Sequence, residues 1–230
     1  MWPADSRRPA PASEEHCDTP LIVLRPAPPP DGDRVVAISY GHGDDTEKGR
    51  IRGAFVDDLE PAMKRWGYKV LRDVNELKNC GLIREFVLTL AQLVSGQPRR
   101  VVLVLTEKYL RSVYCMSELH AVWQLAVGDR TAFADRVVPC ILEADLRIDD
   151  WRGRTAWAKH WKDEYDAMTT AAESLGRDDK VLWHEISRWV RDVPDMLAFV
   201  SNMVTTRGHA NLRENGFAAV RAMLERPRRA

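Results

Sequence analysis

Four short apolar runs, each containing β-branched residues, set the framework of this 230-residue chain. The continuous apolar runs among them are typical of strands that are covered on both faces. Stretches with helical spacing of apolar side chains separate the runs, and connections of that length allow parallel pairing. We therefore predict an α/β fold with a mainly parallel sheet and helices on both faces. The runs are VVAIS from Val35, YKVLR from Tyr68, VVLVLT from Val101 and RVVPCIL from Arg136.

Two of the helical patterns involve a proline. Apolar side chains recur every three or four residues from Gly49 to Trp66, and Pro61 lies inside this stretch. Proline removes a backbone donor and crowds the preceding turn, so we expect Pro61 to kink or split the helix. Pro194 precedes another helical pattern of apolar residues, and we expect it to begin a new helix there.

One carboxylate stands on the apolar side of the stretch from Tyr109 to Ala126. On a helix with about 100° per residue, Glu118 is the only charged residue within an arc of mostly apolar side chains. A charge that faces a core is costly unless it is paired, hydrogen-bonded or placed at the wall of a pocket. Two interpretations are equal on this basis: a structural ion pair with an arginine such as Arg111 or Arg136, and a catalytic carboxylate. The arc consists of Tyr114, Cys115, Leu119, Ala121, Val122, Leu125 and Ala126.

Polar side chains gather in the loops that follow the predicted strands. In open α/β sheets, ligands bind outside the carboxyl ends of the strands, and these loops open on that edge. Each residue alone is more often a turn former or a packed ring than a binding residue. Together with Glu118 they favour a ligand site at this edge of the sheet. The residues are Ser39, Tyr40, His42, Asp44, Asp73, Asn75 and Tyr109.

Charge, cysteine usage and motifs argue against several classes of function. Lysine plus arginine equals aspartate plus glutamate at 34 each, so no net charge attracts nucleic acid or an anionic membrane. The four cysteines show neither zinc-site nor disulfide spacing, and no apolar run is long enough to span a membrane. A phosphate-binding loop, a complete dinucleotide fingerprint and a nucleophile elbow are also missing. We expect a cytoplasmic protein that binds no metal, no nucleic acid and no membrane.

The chain divides into four segments by composition. Residues 1–33 hold eight of the thirteen prolines, which predicts a disordered tail. Residues 34–150 contain the strand and helix pattern of the main domain. Residues 151–207 are rich in tryptophan and helix formers, which predicts a helical extension packed on that domain, with Trp157, Trp161, Tyr165 and Met168 as a core stripe. We expect residues 208–230 to form a fraying helix and a basic tail.

Three blocks of sequence carry a family resemblance: VVAISYGHGDD from Val35, YKVLRDVNELKNCGLIREF from Tyr68 and VVLVLTEKYLRSVYCMSEL from Val101. In this order they resemble the Toll/interleukin-receptor (TIR) domain, especially its bacterial form. The resemblance covers about residues 34–143, and the region up to about residue 205 is similar to the extension of many bacterial members. It implies the TIR fold, a flavodoxin-like parallel sheet of about five strands. It also implies cleavage of the nicotinamide–ribose bond of NAD, which is then a substrate and not a cofactor.

The resemblance assigns roles to individual residues. By motif, the catalytic glutamate corresponds to Glu118, and the aromatic residue four positions earlier to Tyr114, where many members have tryptophan. The mobile BB loop corresponds to residues 73–81. We assign substrate binding to Ser39, Tyr40, Asp73, Tyr109 and Tyr114, and assembly through the BB loop to Asn75, Glu76, Leu77, Lys78 and Gly81.

TIR domains also serve as adaptors without catalysis, so a scaffold that acts through TIR–TIR contacts is the alternative function. An enzyme that destroys NAD inside a cell must be restrained. We therefore expect weak activity from the isolated chain and activation by self-association, under the direction of a partner protein. In that form the protein is expected to act as an immune or anti-phage effector.

Overall fold

The computed structural model describes residues 34–72, 100–124, 130–203 and 206–227. The strands are β1 (Val35–Tyr40), β2 (Lys69–Arg72), β3 (Arg100–Leu105) and β4 (Val137–Ile141). The helices are α1 (Glu47–Arg65), α2 (Glu107–Arg111), α3 (Val113–Gln124), α4 (Arg130–Arg136), α5 (Trp151–Thr170), α6 (Arg177–Met203) and α7 (His209–Glu225). The predicted tail at residues 1–33 lies outside the described residues, as does the BB loop at residues 73–81.

The four strands form one sheet in the order β2-β1-β3-β4, and every neighbouring pair is parallel. Ser39 of β1 lies opposite Leu103 of β3, and Val102 lies opposite Val138 of β4. Every residue of β1, β3 and β4 is buried, as their continuous apolar runs predict. The predicted parallel α/β sheet is confirmed. The described residues contain four strands, where about five were expected.

Helices cover both faces of the sheet and divide the core into two clusters. On one face, which we call the α3 face, strand residues such as Ala37 and Leu103 pack with α3, α5 and α6. On the other, which we call the α1 face, Ile38 and Val102 pack with α1 and α7. The clusters alternate along each strand because successive side chains point to opposite faces. Consequently Ser39 and Tyr40, which are neighbours in β1, belong to different faces.

The tryptophan-rich extension contributes to the core of the α3 face. Trp161 of α5 and Trp189 of α6 meet edge to face with ring centroids 4.8 Å apart, and both are buried. Trp157, Tyr165 and Met168 are partly buried and pack against the same cluster. The predicted stripe is therefore a packing surface, and α5 and α6 form one core with the Glu118 helix.

Two helices run through an internal proline, contrary to expectation. Pro61 lies inside α1, which continues to Arg65, and Pro194 lies inside α6, which is a single helix from Arg177 to Met203. The prediction that Pro194 begins a new helix is wrong, and of the two outcomes predicted for Pro61, a kink or a split, the split does not occur. An internal proline costs about 3 kcal/mol, and each fully buried apolar side chain contributes about 1.5–3 kcal/mol. In α6 the buried residues on both sides of the proline outweigh that cost: Trp189, Val193, Met196, Leu197 and Val200.

The stretch predicted as one helix around Glu118 is two helices. Ser112 has extended backbone angles (φ −83°, ψ 120°) and separates α2 from α3. The hydroxyl of Thr106 caps α2 by accepting a hydrogen bond from the backbone N–H of Tyr109. The change of direction at Ser112 means that Tyr109 and Glu118 approach the sheet from different helices, so a single helical wheel does not describe them.

The last helix packs on the α1 face, and the expectation that it frays is wrong. Its inward side chains, Leu212, Phe217, Val220 and Leu224, are buried in the same cluster as α1. A left-handed turn with φ between 50° and 66° at residues 215–217 interrupts the helix and turns Phe217 edge to face onto Phe55. Residues 209–225 therefore form part of the α1-face core.

Arg100 ties the carboxyl end of α7 to the sheet. Its buried guanidinium, at the start of β3, donates to the backbone carbonyls of Met223, Leu224 and Arg226. Its Nε also donates to the carbonyl of Asp135, 3.1 Å away. Unsatisfied carbonyls at the end of a helix attract a cation, so Arg100 acts as a cap supplied by another element.

Candidate active site

Glu118 is buried at the face of α3 that meets the sheet. Its side chain is only 6% exposed, and buried Cys115, Leu119 and Val122 accompany it on the same helix. The hydroxyl of Ser39 in β1 donates a hydrogen bond to Oε2 of Glu118. The predicted apolar face with a single carboxylate is thus a real feature of the core.

Ser39 connects Glu118 to a second hydroxyl. The phenol oxygen of Tyr109 lies 2.7 Å from Oγ of Ser39, and both side chains are buried. Ser39 comes from the end of β1, Tyr109 from the helix that follows β3, and Glu118 from α3. Three elements therefore meet at the carboxyl edge of the sheet, where the sequence predicts the ligand site. These three are the predicted site residues that the structure brings together.

Arg111, one of the two arginines considered as an ion-pair partner of Glu118, has other contacts. Nε of Arg111 lies 3.0 Å from a carboxylate oxygen of Glu107, and its guanidinium lies 5.4 Å from the ring centre of Trp157. An ion pair between Arg111 and Glu118 is therefore wrong as a prediction. The hydroxyl of Ser39 donates a hydrogen bond to the carboxylate of Glu118.

Tyr114 is exposed, although the helical wheel places it in the apolar arc. It occupies the first turn of α3, one turn before Glu118 on the same helix, and its side chain is 56% exposed. The buried part of the arc therefore does not include Tyr114. Contact between Tyr114 and a substrate remains a prediction.

Tyr40 faces the opposite side of the sheet from Glu118. Its hydroxyl accepts a hydrogen bond of 2.9 Å from Nε of Arg72, whose guanidinium lies 4.9 Å from the ring centre. The ring also lies 5.3 Å from that of His42. Tyr40 thus joins the end of β1 to the end of β2, directly before the predicted BB loop. Its role in substrate binding stays a prediction, as does that of Asp73, which lies outside the described residues together with Asn75, Glu76, Leu77, Lys78 and Gly81.

The loop after β1 is held by two cations that the sequence interpretation missed. Buried Arg52 of α1 donates to the carbonyl of His42 at 2.8 Å and to Asp44 at 3.1 Å. The ammonium of Lys108 lies 2.7 Å from the same Asp44 oxygen. Hydrogen bonds from Lys108 and Thr46 hold the pKa of the Asp44 carboxyl well below its usual range. Asp44 therefore stabilises the turn, as one interpretation of the sequence allowed.

A pattern in the sequence identifies Arg52 in retrospect. The buried positions of α1 include Phe55, Val56 and Leu59, which follow Arg52 at spacings of three, four and seven residues. Arg52 is thus a charge on an apolar helical face, the same signal that singled out Glu118. Lys108 carries no such signal, because it is exposed and its contact depends on how α2 approaches the loop.

Helix α3 is anchored to α6 by a buried histidine. Nε2 of His120, two residues after Glu118, lies 3.0 Å from a carboxylate oxygen of Asp192, and Nε2 of Gln124 lies 2.9 Å from the same oxygen. Burial lowers the pKa of His120, although the hydrogen bond with Asp192 opposes that shift. We conclude that a neutral imidazole holds the Glu118 helix against the extension.

This contact predicts that the protein loses stability in mild acid. Because the folded pKa of His120 is depressed, the unfolded chain binds more protons as pH falls below about 6.5, and the free energy of unfolding falls with it. His160, whose pKa is lowered by burial and by Arg111, acts in the same direction. We expect the melting temperature to decrease from pH 7.5 to pH 5.5. His120→Gln should show a shallower decrease, whereas His184→Gln, which changes an exposed histidine, should follow the wild type. Equal slopes for all three proteins would contradict this role of His120.

The remaining features of the described residues concern metals, thiols and membranes. Within the described ranges, no three His, Cys, Asp or Glu side chains come together as a metal site requires. Burial raises the pKa of the Cys140 thiol to about 12, so this cysteine is a packed, unreactive side chain. None of the helices in the described part of the chain has the length and hydropathy needed to cross a bilayer.

The parallel sheet with helices on both faces makes this an α/β domain, and its buried polar cluster lies at the edge where such domains usually bind ligands. A comparison with protein families matches residues 36–175 to the TIR domain. The match covers more than half of the 230 residues and extends from β1 through α5, so the chain belongs to the TIR family. Comparisons with curated proteins and with solved structures found no match. TIR domains include NAD-cleaving enzymes and scaffolds, and they generally associate with one another.

Proposed function

We propose that this protein is an NAD glycohydrolase in which Glu118 is the catalytic carboxylate. The observation that supports the proposal most directly is the position of Glu118: it is buried at the carboxyl edge of the sheet and accepts a hydrogen bond from Ser39. A carboxylate kept in a core at this cost favours a functional role, and by motif Glu118 corresponds to the family's catalytic glutamate.

A single carboxylate is sufficient for this reaction. Ordinary glycosidases use two carboxyl groups, one of which protonates the departing oxygen. The nicotinamide ring of NAD already carries a positive charge, and it leaves as a neutral base when the bond between its nitrogen and the ribose carbon breaks. The bonding electrons go to nicotinamide, and positive charge develops on the ribose. Glu118 stabilises that charge in surroundings of low dielectric, where one negative charge acts strongly.

The fate of the ribose carbon decides the product. Attack by water yields ADP-ribose and releases a proton, whereas attack by a nitrogen of the adenine ring yields a cyclic product. We propose that Ser39, Tyr40, Asp73 and Tyr114 border the substrate. Chromatography of the reaction mixture separates the two products and shows which nucleophile the site admits.

The direct test is nicotinamide release from NAD by the purified full-length chain. We expect release that is proportional to time, with an equal amount of ADP-ribose or its cyclic form. The alternative function, a scaffold that acts through TIR–TIR contacts, predicts a folded and self-associating protein that releases no nicotinamide. The assay must therefore include concentrated protein, because an assembled state is the form in which activity is expected.

We also propose that assembly controls the activity, in an immune or anti-phage role directed by a partner protein. If the competent conformation is populated at roughly 1%, contacts from an adjoining subunit worth about 3 kcal/mol make it the major state. Nicotinamide release per molecule should then rise by roughly 50-fold to 100-fold between nanomolar and high micromolar protein.

Charge reversal in the BB loop provides the matched comparison for assembly control. Glu76→Lys with Lys78→Glu should blunt the rise, since these residues are assigned to the assembling loop. Lys162→Glu with Asp166→Lys reverses an exposed pair on α5 and should leave the rise unchanged. A specific activity that stays constant across the concentration range, from a species that remains monomeric, would refute assembly control.

A further inference from the structure

The hydrogen bonds at Glu118 have a direction. The hydroxyl of Ser39 carries one hydrogen, which it donates to Oε2 of Glu118. The contact of 2.7 Å between Ser39 and Tyr109 must then use the hydrogen of the Tyr109 phenol. Tyr109 therefore donates to Ser39, Ser39 donates to Glu118, and the carboxylate accepts at the end of this chain of hydrogen bonds.

Tyr109 is suited to be a permanent donor. Its side chain is fully buried, and burial, together with Cys115 and Glu118, raises its pKa well above the ordinary value. The phenol consequently keeps its proton throughout the physiological pH range. A buried hydroxyl is costly unless it is hydrogen-bonded, so a phenylalanine would pack at this position without that requirement. The phenol oxygen therefore calls for an explanation beyond packing.

The position of the Tyr109 ring is fixed from both sides. Its backbone N–H donates to the Thr106 hydroxyl, 3.1 Å away, at the start of α2. The carbonyl of the next residue, Leu110, accepts a hydrogen bond of 3.1 Å from the indole of Trp161 in α5. The extension thus locks the helix that carries the phenol. A donor held in this way has a defined direction toward Ser39.

We propose that Tyr109 is a positioning residue that acts through Ser39 to orient the Glu118 carboxylate and to favour its charged form. Connected hydrogen bonds in a core strengthen one another, so the phenol strengthens the bond that Ser39 donates. In this role Tyr109 acts through Ser39 and does not itself contact the substrate. The inference rests on the proposed function for its catalytic consequence, but the coupling of the three side chains is independent of turnover.

The kinetic test compares Tyr109→Phe with the wild type. The variant keeps the ring and removes only the donor, so we expect kcat to fall about tenfold with KM nearly unchanged, since one hydrogen bond to a charged group is lost. The acid limb of the kcat profile should move to higher pH, because the carboxylate loses stabilisation of its charged form. Ser39→Ala combined with Tyr109→Phe should be no worse than Ser39→Ala alone. Tyr165→Phe removes a phenol oxygen on α5, away from this chain of hydrogen bonds, and should match the wild type.

An activity-independent test uses the titration of the Glu118 carboxyl by carbon-13 NMR, with Glu118→Gln to assign its signal. The titration midpoint should be higher in Tyr109→Phe and in Ser39→Ala than in the wild type or in Tyr165→Phe. An unchanged midpoint and an unchanged pH profile would overturn the proposal, as would independent effects of the two substitutions in the double variant. If the wild type releases no nicotinamide, the proposed function fails, while the titration still decides the role of Tyr109.

Discussion

Glu118→Gln should lower the rate of nicotinamide release by at least about 100-fold to 1000-fold, because it removes the negative charge that stabilises the ribose. The change keeps the shape of the side chain. The Ser39 hydroxyl, which donates to Oε2 in the native protein, can donate to the amide oxygen of the variant. We therefore expect the melting temperature to change little. The measurement is nicotinamide release by the two proteins at the same high concentration, alongside thermal unfolding.

The control for this prediction is another glutamate changed in the same way. Glu164→Gln alters an exposed position on α5 and should retain wild-type turnover. If Glu118 instead serves stability as one partner of a buried ion pair, Glu118→Gln should lower the free energy of unfolding by about 3–5 kcal/mol. Wild-type turnover in a destabilised Glu118→Gln protein would reject the catalytic role and support the structural one.

The sequence predicts the framework of the fold well because three of its strands, β1, β3 and β4, are buried on both faces. Burial on both faces requires continuous apolar runs, and such runs can be recognised in a sequence without knowledge of tertiary contacts. The predicted runs coincide with β1, β2, β3 and β4, and the helix that begins near Gly49 coincides with α1. Glu118 can also be identified from the sequence, because it is a single charged residue within an apolar helical pattern.

The hydrogen bonds that connect Tyr109 to Ser39 and Ser39 to Glu118 are not predictable in the same way. Ser39 and Tyr109 are 70 residues apart in sequence, and their contact depends on the register in which β1 pairs with β3. It also depends on the break at Ser112, which places Tyr109 and Glu118 on separate helices. A helical wheel also does not show how far along a helix the core extends, so it did not predict that Tyr114, in the first turn of α3, is 56% exposed. Side-chain geometry at a junction of three elements is a property of the packing.

The last helix was misjudged because its pattern is interrupted. The buried residues Leu212, Phe217, Val220 and Leu224 follow one another at spacings of five, three and four residues, and the first step is longer than the three or four residues of a regular apolar pattern. The left-handed turn at residues 215–217 absorbs the irregular spacing and returns Phe217 to the core. Many arginines and alanines surround these positions, so composition alone indicates a surface tail.

Deletion of residues 208–230 should prevent the protein from folding cooperatively. The deletion removes the four buried side chains of α7 and exposes their partners on the α1 face, including Phe55. At about 1.5–3 kcal/mol for each side chain, the loss is on the order of 6–12 kcal/mol, which is comparable to the whole stability of a typical domain. Arg100 would also keep its buried charge while losing three carbonyl acceptors. Circular dichroism should show no cooperative thermal transition.

Two further proteins separate a packing role of α7 from a general effect of shortening the chain. Deletion of residues 1–30 should leave the melting temperature and the activity nearly unchanged, since its proline-rich composition predicts an unpacked tail. Leu212→Ala keeps the full length and removes one buried side chain, so it should lower the free energy of unfolding by about 2–5 kcal/mol while the protein still folds. If the chain without residues 208–230 melts at the wild-type temperature, α7 does not contribute to the core. If the deletion of residues 208–230 prevents folding but Leu212→Ala leaves the free energy of unfolding unchanged, the first turn of α7 contributes little. The helix is then held mainly by Arg100 and by the aromatic contact of Phe217.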